Sequence, residues 1–335
     1  MVIQVLILIA GFLLLVKGAD WFVDGAASLA ERMGIPQLVV GLTIVAMGTS
    51  MPEAAVSIAS ALKNNPEIAI GNVVGSNTLN ILLILGLTAL IHPIRIQRST
   101  IRYEMPFMIA VTLLLTAFGI SGSRISRTEG VIFWGLFILY FVYLFWLSRN
   151  HRNQGTEELK DSAASGITAA SVSAEESVET KGGKQQKKHS ILWYLAEILI
   201  GGAMVVWGSD LVVDSATVLA GMFGMSDRMI ALTIVAFGTS LPELVTSVTA
   251  ARKGNADLAV GNVVGSNIFN ILMIIGTVAL IRPIPFADAF YLDLGAAIIS
   301  AMVLWFGSIP SQRLGRAMGA CLLLLYAGYF VILCR

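Results

Sequence analysis

The stretch GLTIVAMGTSMPE at 41–53 returns as ALTIVAFGTSLPE at 231–243, and GNVVGSNTLNIL at 71–82 returns as GNVVGSNIFNIL at 261–272. Both recur at an offset of 190 without a gap, and over 41–87 the two copies share 27 of 47 residues. The same offset pairs Asp20 with Asp210 and Asp24 with Asp214, so the duplication reaches back into the first apolar segment of each half. The repeated stretches are apolar apart from a few Ser, Thr, Asn and Glu, which makes the duplicated unit a membrane unit.

Composition agrees. Of 335 residues 56% are hydrophobic and 13% charged, against about 25% charged in soluble domains, and the mean hydropathy is +0.80. The apolar surplus sits in runs of about 20 residues, the length of a bilayer-crossing helix, which excludes a soluble enzyme fold. Ten such segments are expected, at 2–30, 37–62, 68–91, 103–122, 127–147, 191–221, 228–251, 256–281, 287–308 and 314–334. The first lacks a basic start and a small-residue cleavage site and carries Lys17, Asp20 and Asp24, so it reads as a retained helix rather than a signal peptide. Five segments per half is an odd number, so the second copy must cross in the opposite sense. The expected fold is an all-α membrane protein of ten transmembrane helices arranged as two inverted five-helix repeats, a transporter architecture whose substrate site lies between the repeats.

Residues 1–147 form the first expected membrane repeat, with its motif at 41–87, and 191–335 the second, with its motif at 231–277. Between them, 148–190 turns to Ser, Ala, Glu, Lys and Gln and is expected to be a disordered cytoplasmic linker. The 22 Lys and Arg against 21 Asp and Glu leave a net charge of +1, too little for a nucleic-acid partner. With the linker in the cytoplasm, 15 basic residues fall on that side and 6 on the other, which places both termini outside. Cys321 and Cys334 stand 13 residues apart, about 20 Å along a helix and too far for a disulfide. No GxxxxGK[ST] pattern is present, so nucleotide-driven pumping by that motif is not supported.

Each half carries one Glu, Glu53 or Glu243, deep in its second apolar segment. An ionised carboxylate there costs at least about 2.5–3.5 kcal/mol unless it meets water, a cation or a partner. The only basic residue away from the end of a span is Lys17, and one Lys does not neutralise two carboxylates. Pro52 and Pro242 directly precede the Glu residues and lack the amide that would bond the carbonyl four residues back. The carbonyls of Gly48 and Gly238 are therefore freed and a local break is expected. Helical spacing puts Thr49 above Glu53 and Thr239 above Glu243, with Ser50 and Ser240 beside them. The third segments add Ser76, Asn77 and Asn80, and Ser266, Asn267 and Asn270, while Gly71, Gly75, Gly261 and Gly265 allow close helix approach. Hydroxyl, amide, carbonyl and carboxylate oxygens suit a hard cation such as Ca²⁺, which takes about 6–8 oxygens, and three His, none near a repeat motif, disfavour zinc. Asp20, Asp24, Asp210 and Asp214 are read as structural, and Lys17, Glu104, Glu197 and Asp293 as residues without a repeat counterpart.

At these residues the sequence resembles the Ca²⁺/cation antiporter superfamily, and within it the prokaryotic Na⁺/Ca²⁺ exchanger-like branch. The resemblance rests on two alpha-repeats in order, GTSMPE with GNVVGSNTLN and GTSLPE with GNVVGSNIFN, and covers the chain apart from the linker. The H⁺-coupled branch usually carries a Glu in a GNxxE setting, where this chain has GNVVG twice. The resemblance implies Glu53, Glu243, Thr49 and Thr239 around Ca²⁺, with backbone carbonyl ligands at Ala46 and Ala236. It implies flanking Na⁺ ligands at Ser50, Ser76, Ser240 and Ser266 and central amides at Asn80 and Asn270, where some relatives carry one Asp.

It further implies a multi-pass protein of a prokaryotic cytoplasmic membrane, in which the helices at 2–30 and 191–221 slide over the rest. Ca²⁺ and Na⁺ are the transported ions and the bilayer the surroundings; no cofactor, nucleotide or obligate protein partner is implied. The expected activity is secondary antiport of Ca²⁺ against Na⁺ at one shared carboxylate site, not enzymatic turnover. A Ca²⁺/H⁺ or K⁺-dependent exchanger on the same scaffold, another divalent ion, and a cation channel stay open as alternatives.

Overall fold

Apolar runs fold as helices throughout the described residues, which in this computed structural model are 1–164, 190–224, 236–288 and 290–333. The first half contains α1 (Val2–Met33), α2 (Gln37–Thr49), α3 (Met51–Leu62), α4 (Glu67–Ile91), α5 (Thr100–Gly122) and α6 (Arg127–Ala164). The second contains α7 (Ile191–Met222), α8 (Ala236–Thr239), α9 (Leu241–Arg252), α10 (Ala256–Ile281), α11 (Phe290–Ser308) and α12 (Arg316–Leu333). Among the described residues eight helices are long and apolar enough to cross a bilayer, or nine if the bent pair α2–α3 is one span. This is a helical membrane protein. The expected span at 228–251 begins within 225–235, outside the described residues, and α8 and α9 are its described remainder.

The centre is built by α4 and α10. Their apolar windows are 72% and 78% buried, against 39% or less for the other six long helices. Around them, α1 and α7 pack chiefly on each other. They run antiparallel along a glycine seam: a Cβ added at Gly18 would lie 2.8 Å from the Gly201 carbonyl, at Gly201 2.5 Å from the Phe22 amide, and at Gly208 2.6 Å from the Leu15 amide. Glycine at Gly11, Gly18 and Gly25 repeats every seventh residue, so backbone meets backbone on one face for the length of the pair.

The breaks fall where proline removes the amide. Between α2 and α3 the chain bends by 49° at Ser50 (φ −84°, ψ 9°), and Ser240 has the same conformation (φ −92°, ψ 6°) between α8 and α9. The freed Gly238 carbonyl accepts a hydrogen bond from the Ser209 hydroxyl at 2.9 Å, while the residue at the equivalent place in α1 is Ala19. Further along, α4 and α10 widen into a π turn at equivalent positions, Asn80–Leu85 and Asn270–Ile275, a distortion that often marks functional positions.

Two short strand pairs join the halves. β1 (Ile94–Arg95) pairs antiparallel with β4 (Arg313–Leu314), and β2 (Arg124–Ile125) with β3 (Ile284–Pro285). Each half exchanges the same elements, but β2 and β4 correspond at an offset of 189. One residue is therefore missing from the second copy before this point, and Glu104 then falls on Asp293. The reading of these two acids as lacking counterparts is corrected. Each accepts a hydrogen bond from a tyrosine on the last helix of its own half, Tyr143 to Glu104 at 2.6 Å and Tyr329 to Asp293 at 2.8 Å.

The expected linker at 148–190 also differs from what is observed. Helix α6 passes the boundary at 147 and continues to Ala164, and 165–189 lie outside the described residues. Cys321 is free and exposed, while Cys334 is outside the described residues.

Candidate ion-binding site

The two Glu residues meet the other half's hydroxyls. Ser50 donates to Glu243 Oε1 at 2.8 Å, and Ser240 donates to Glu53 Oε1 at 3.1 Å. Thr49 likewise lies close to the Glu243 carboxylate and Thr239 to that of Glu53. The helical-face argument that put Thr49 over Glu53 is overturned by the bend at Ser50, which turns the end of α2 away from α3 and toward the opposite repeat. Both Glu side chains are fully buried, as are Ser50 and Ser240.

The third helix of each half closes the site. Ser76 donates to Glu53 Oε1 at 3.4 Å and stands 3.4 Å from the Ser240 hydroxyl. Its equivalent, Ser266, donates instead to the Ala46 carbonyl at 3.4 Å. That carbonyl also accepts from the Ser50 amide at 3.0 Å and the Thr49 hydroxyl at 3.3 Å, so it is already well occupied within the protein. Ala236 opens α8.

Asn72 and Asn262, which the sequence analysis did not assign, hold the Glu-bearing helices in place. Asn72 Nδ2 donates to the Ser57 hydroxyl at 2.9 Å and the Glu53 carbonyl at 3.2 Å, and Asn262 Nδ2 donates to the Ser247 hydroxyl at 2.9 Å and the Glu243 carbonyl at 3.4 Å. Asn262 Oδ1 in addition accepts from Thr49 at 3.0 Å. The signal was in the repeat: Asn72/Asn262 and Ser57/Ser247 are all identical at the offset of 190.

Of the ten buried side-chain oxygens without a hydrogen-bond partner among the described residues, four stand on residues paired by the repeat. Glu53 Oε2, Glu243 Oε2, Asn80 Oδ1 and Asn270 Oδ1 have no hydrogen-bond partner, and they form two pairs related by the repeat. A buried acceptor without a donor costs about 1–3 kcal/mol, more when charged, so four on equivalent residues are not packing accidents. No Lys or Arg forms an ion pair with either Glu among the described residues, and no group of three or more His, Cys, Asp or Glu gathers there. Two carboxylates and neutral oxygens fit a hard cation.

A cavity of about 310 Å³ reaches the site from one direction, lined by Gly71, Asn72, Gly75 and Ser76 of α4 and by Tyr326 and Tyr329 of α12, among others. On the equivalent side of α10 the helices are in contact. A Cβ at Gly261 would lie 2.8 Å from the Leu38 carbonyl, and one at Gly265 would lie 2.7 Å from the Leu42 Cα. Gly75 has no described atom within 4 Å of an added Cβ, and Gly71 only Phe290 at 3.9 Å. The expectation of close approach holds for Gly261 and Gly265; at Gly71 and Gly75 the stretch equivalent to Leu38–Leu42 is 228–232, which lies outside the described residues.

Known proteins resemble the chain along nearly its whole length. The family model described as sodium/calcium exchanger protein matches residues 3–146 and 193–335. The chain is 36% identical over 338 residues to the inner membrane protein YrbG of Escherichia coli, covering 99% of this chain and 96% of that one. It is 36% identical over 340 residues to the putative antiporter CaxA of Alkalimonas amylolytica, covering 99% of each. It is 31% identical to the sodium/calcium exchanger MaX1 of Methanosarcina acetivorans over 354 residues, covering 99% of this chain and 98% of that one. A solved structure of the sodium-calcium exchanger NCX_Mj, soaked with 2.5 mM Na⁺ and 0.1 mM Ca²⁺, superposes with a TM-score of 0.79 at 29% identity, covering 99% of this chain and 98% of that one.

Proposed function

We propose that this chain, which belongs to the sodium/calcium exchanger family in its prokaryotic branch, is an antiporter that exchanges Ca²⁺ for Na⁺ at one shared site. Glu53 and Glu243 are its central ligands, with Thr49, Thr239, Asn80 and Asn270 around them. Ser50, Ser76, Ser240 and Ser266 flank the centre, and the carbonyls of Ala46 and Ala236 join the set when the Thr49 and Ser266 hydroxyls turn from the Ala46 carbonyl to the ion. The observation that carries this reading is the group of four buried, unpartnered oxygens on repeat-related residues, two of them carboxylate oxygens with no cation of the protein beside them.

Two carboxylates neutralise one Ca²⁺ or two Na⁺. Occupation by both kinds of ion at once would set like charges together in a low-dielectric centre, where the repulsion is strong. The two ions therefore exclude one another, and a site that must be loaded with one or the other before it moves couples their fluxes.

The inverted ten-helix topology is part of the same proposal, with the termini outside and the 165–189 segment cytoplasmic. Its support is that contacts between halves join only loops assigned to one face. β1 with β4 and Gln97 with Asp257 fall on the inner side, and β2 with β3 and Arg282 with Asn64 on the outer. Alternating access follows if the α1–α7 pair, bonded mainly to itself, moves against the core of α4 and α10.

The test is uptake of radiolabelled Ca²⁺ by proteoliposomes loaded with Na⁺, K⁺ or acid and diluted into Na⁺-free neutral medium. Uptake in the Na⁺-loaded vesicles alone is expected. Uptake driven by acid or K⁺ would replace the coupling ion, and uptake without any counter-ion would make the protein a channel.

A further inference from the structure

We infer that Asn77 and Asn267 are positioning residues that hold the amides of Asn270 and Asn80 with their oxygens turned toward the ion. The inference rests on the ion-site reading above. Asn77 Nδ2 donates to the Asn267 carbonyl at 3.1 Å, and Asn267 Nδ2 donates to the Asn77 carbonyl at 3.2 Å. A backbone carbonyl only accepts, so this crossed pair fixes which end of each amide is nitrogen. The remaining ends are acceptors: Asn77 Oδ1 takes Asn270 Nδ2 at 3.0 Å, and Asn267 Oδ1 takes Asn80 Nδ2 at 3.1 Å.

Asn80 and Asn270 therefore have their nitrogens engaged and their oxygens unpartnered. Without the lock either amide is free to flip by half a turn and present its NH₂ group, which has no lone pair for a cation. A side chain with oxygen at both ends has no wrong orientation, and this supplies the test.

Purified Asn77→Ala should bind radiolabelled Ca²⁺ about 10–100-fold more weakly than the parent, the scale on which supporting contacts act on metal affinity. Asn77→Ala combined with Asn270→Asp should lie within about 3-fold of Asn270→Asp alone, because there is no amide left to hold. An equal loss in both backgrounds would make Asn77 merely structural and overturn the lock, as would parental binding in Asn77→Ala. If Asn77→Ala does not fold, Asn267→Ala with and without Asn80→Asp asks the same question from the other half. Parental affinity in both Asn80→Ala and Asn270→Ala would instead reject those oxygens as ligands, a failure of the site reading and not of the lock.

The ion pairs carry a second inference independently. Lys253, at the end of α9, contacts Asp20 at 3.1 Å and Asp24 at 2.9 Å on α1, and also donates to the Asp20 carbonyl at 3.0 Å. At the offset of 190 these residues correspond to Lys63 at the end of α3 and to Asp210 and Asp214 on α7. The equivalent bridge is not made: the ion pairs of the described residues are both those of Lys253, and Lys63, Asp210 and Asp214 are exposed.

On the side of Lys253, Gly261 and Gly265 are closed against α2; on the side of Lys63, Gly71 and Gly75 are among the described residues that line a cavity. We propose that the two acid pairs and their lysines form alternating latches, Lys253 with Asp20 and Asp24 when one side is shut, and Lys63 with Asp210 and Asp214 when the other is. It rests on the inverted-repeat reading, since the exchange of partners follows from two copies of one unit taking each other's conformation.

In a background of Cys321→Ala and Cys334→Ala, the pairs Asp20→Cys with Lys253→Cys and Asp210→Cys with Lys63→Cys should each form a disulfide under mild oxidation. Each disulfide should arrest Ca²⁺ exchange until reduced, and with all four substitutions present only one should form per molecule. Lys253→Met should slow the reaction of Gly71→Cys with a membrane-impermeant thiol reagent severalfold, and Lys63→Met should speed it. Failure of the Asp210→Cys with Lys63→Cys pair to cross-link, both disulfides in one molecule, or a shift of the same sign in the two Met variants would overturn the latch. Absence of Ca²⁺ exchange in the parent would count against the transport reading, while the cross-links and labelling rates still decide the latch.

Discussion

Replacing Glu53 by Gln separates an ion ligand from a structural acid, because the two roles predict opposite signs. In the structure Glu53 Oε1 is held by Ser240 at 3.1 Å and Ser76 at 3.4 Å, while Oε2 is buried and bonded to nothing. Gln keeps one acceptor for the two hydroxyls and loses the charge and the second oxygen. Removing one charged member of a buried set costs about 3–5 kcal/mol, which is about 10²–10⁴ in affinity at about 1.4 kcal/mol per decade. At a Ca²⁺ concentration 100 times its own dissociation constant, the parent is stabilised by about 2.7 kcal/mol. A variant weakened about 100-fold keeps about 0.4 kcal/mol of that at the same concentration. The ion-free variant should be as stable as the parent or more so, since an uncompensated carboxylate at membrane depth costs at least about 2.5–3.5 kcal/mol. Thermal unfolding of the purified protein with and without Ca²⁺ reads both quantities. Retention of most of the Ca²⁺-dependent shift, or a loss of several kcal/mol in the ion-free state, would refute the reasoning.

Glu243→Gln should match Glu53→Gln in lost Ca²⁺ affinity to within about 3-fold, since its hydrogen-bond partner Ser50 mirrors Ser240; thermal titration of the two side by side checks it. Gly265→Ala, whose Cβ would lie 2.7 Å from the Leu42 Cα, should destabilise by about 1–3 kcal/mol. Unfolding midpoints of the purified parent and variant check it. Ser209→Ala, which strips the Gly238 carbonyl of its donor, should cost about 1–3 kcal/mol, whereas Ala19→Ser, which places at the equivalent position a hydroxyl that can reach the Gly48 carbonyl, should be neutral or stabilising; unfolding midpoints check both.

Much of the site was legible because duplication is visible without any structure. Glu53 and Glu243 stand out as carboxylates in apolar segments, and proline beside each marks the break found at Ser50 and Ser240. What the spacing did not give is which half serves which Glu. Helical periodicity assumes a continuous axis, and the 49° bend sends Thr49 and Ser50 across to Glu243. Asn72 and Asn262 were passed over because GNxxG reads as a packing motif, yet their amides tie α4 to α3 and α10 to α9. Asp20 and Asp24 read as structural in isolation; their lysine partner lies 233 and 229 residues away, at a helix end that hydropathy treats as loop. The correspondence of Glu104 with Asp293 was hidden by a single missing residue, which a fixed offset does not follow.

The central claim is that Ca²⁺ and Na⁺ use one site in turn. Its most direct test is radiolabelled Ca²⁺ bound to the purified protein, titrated with Na⁺ and, separately, with K⁺ at matched ionic strength. The account predicts that Na⁺ displaces all of the bound Ca²⁺ in a manner overcome by more Ca²⁺, and that K⁺ does not. Ca²⁺ that stays bound at saturating Na⁺ would contradict it.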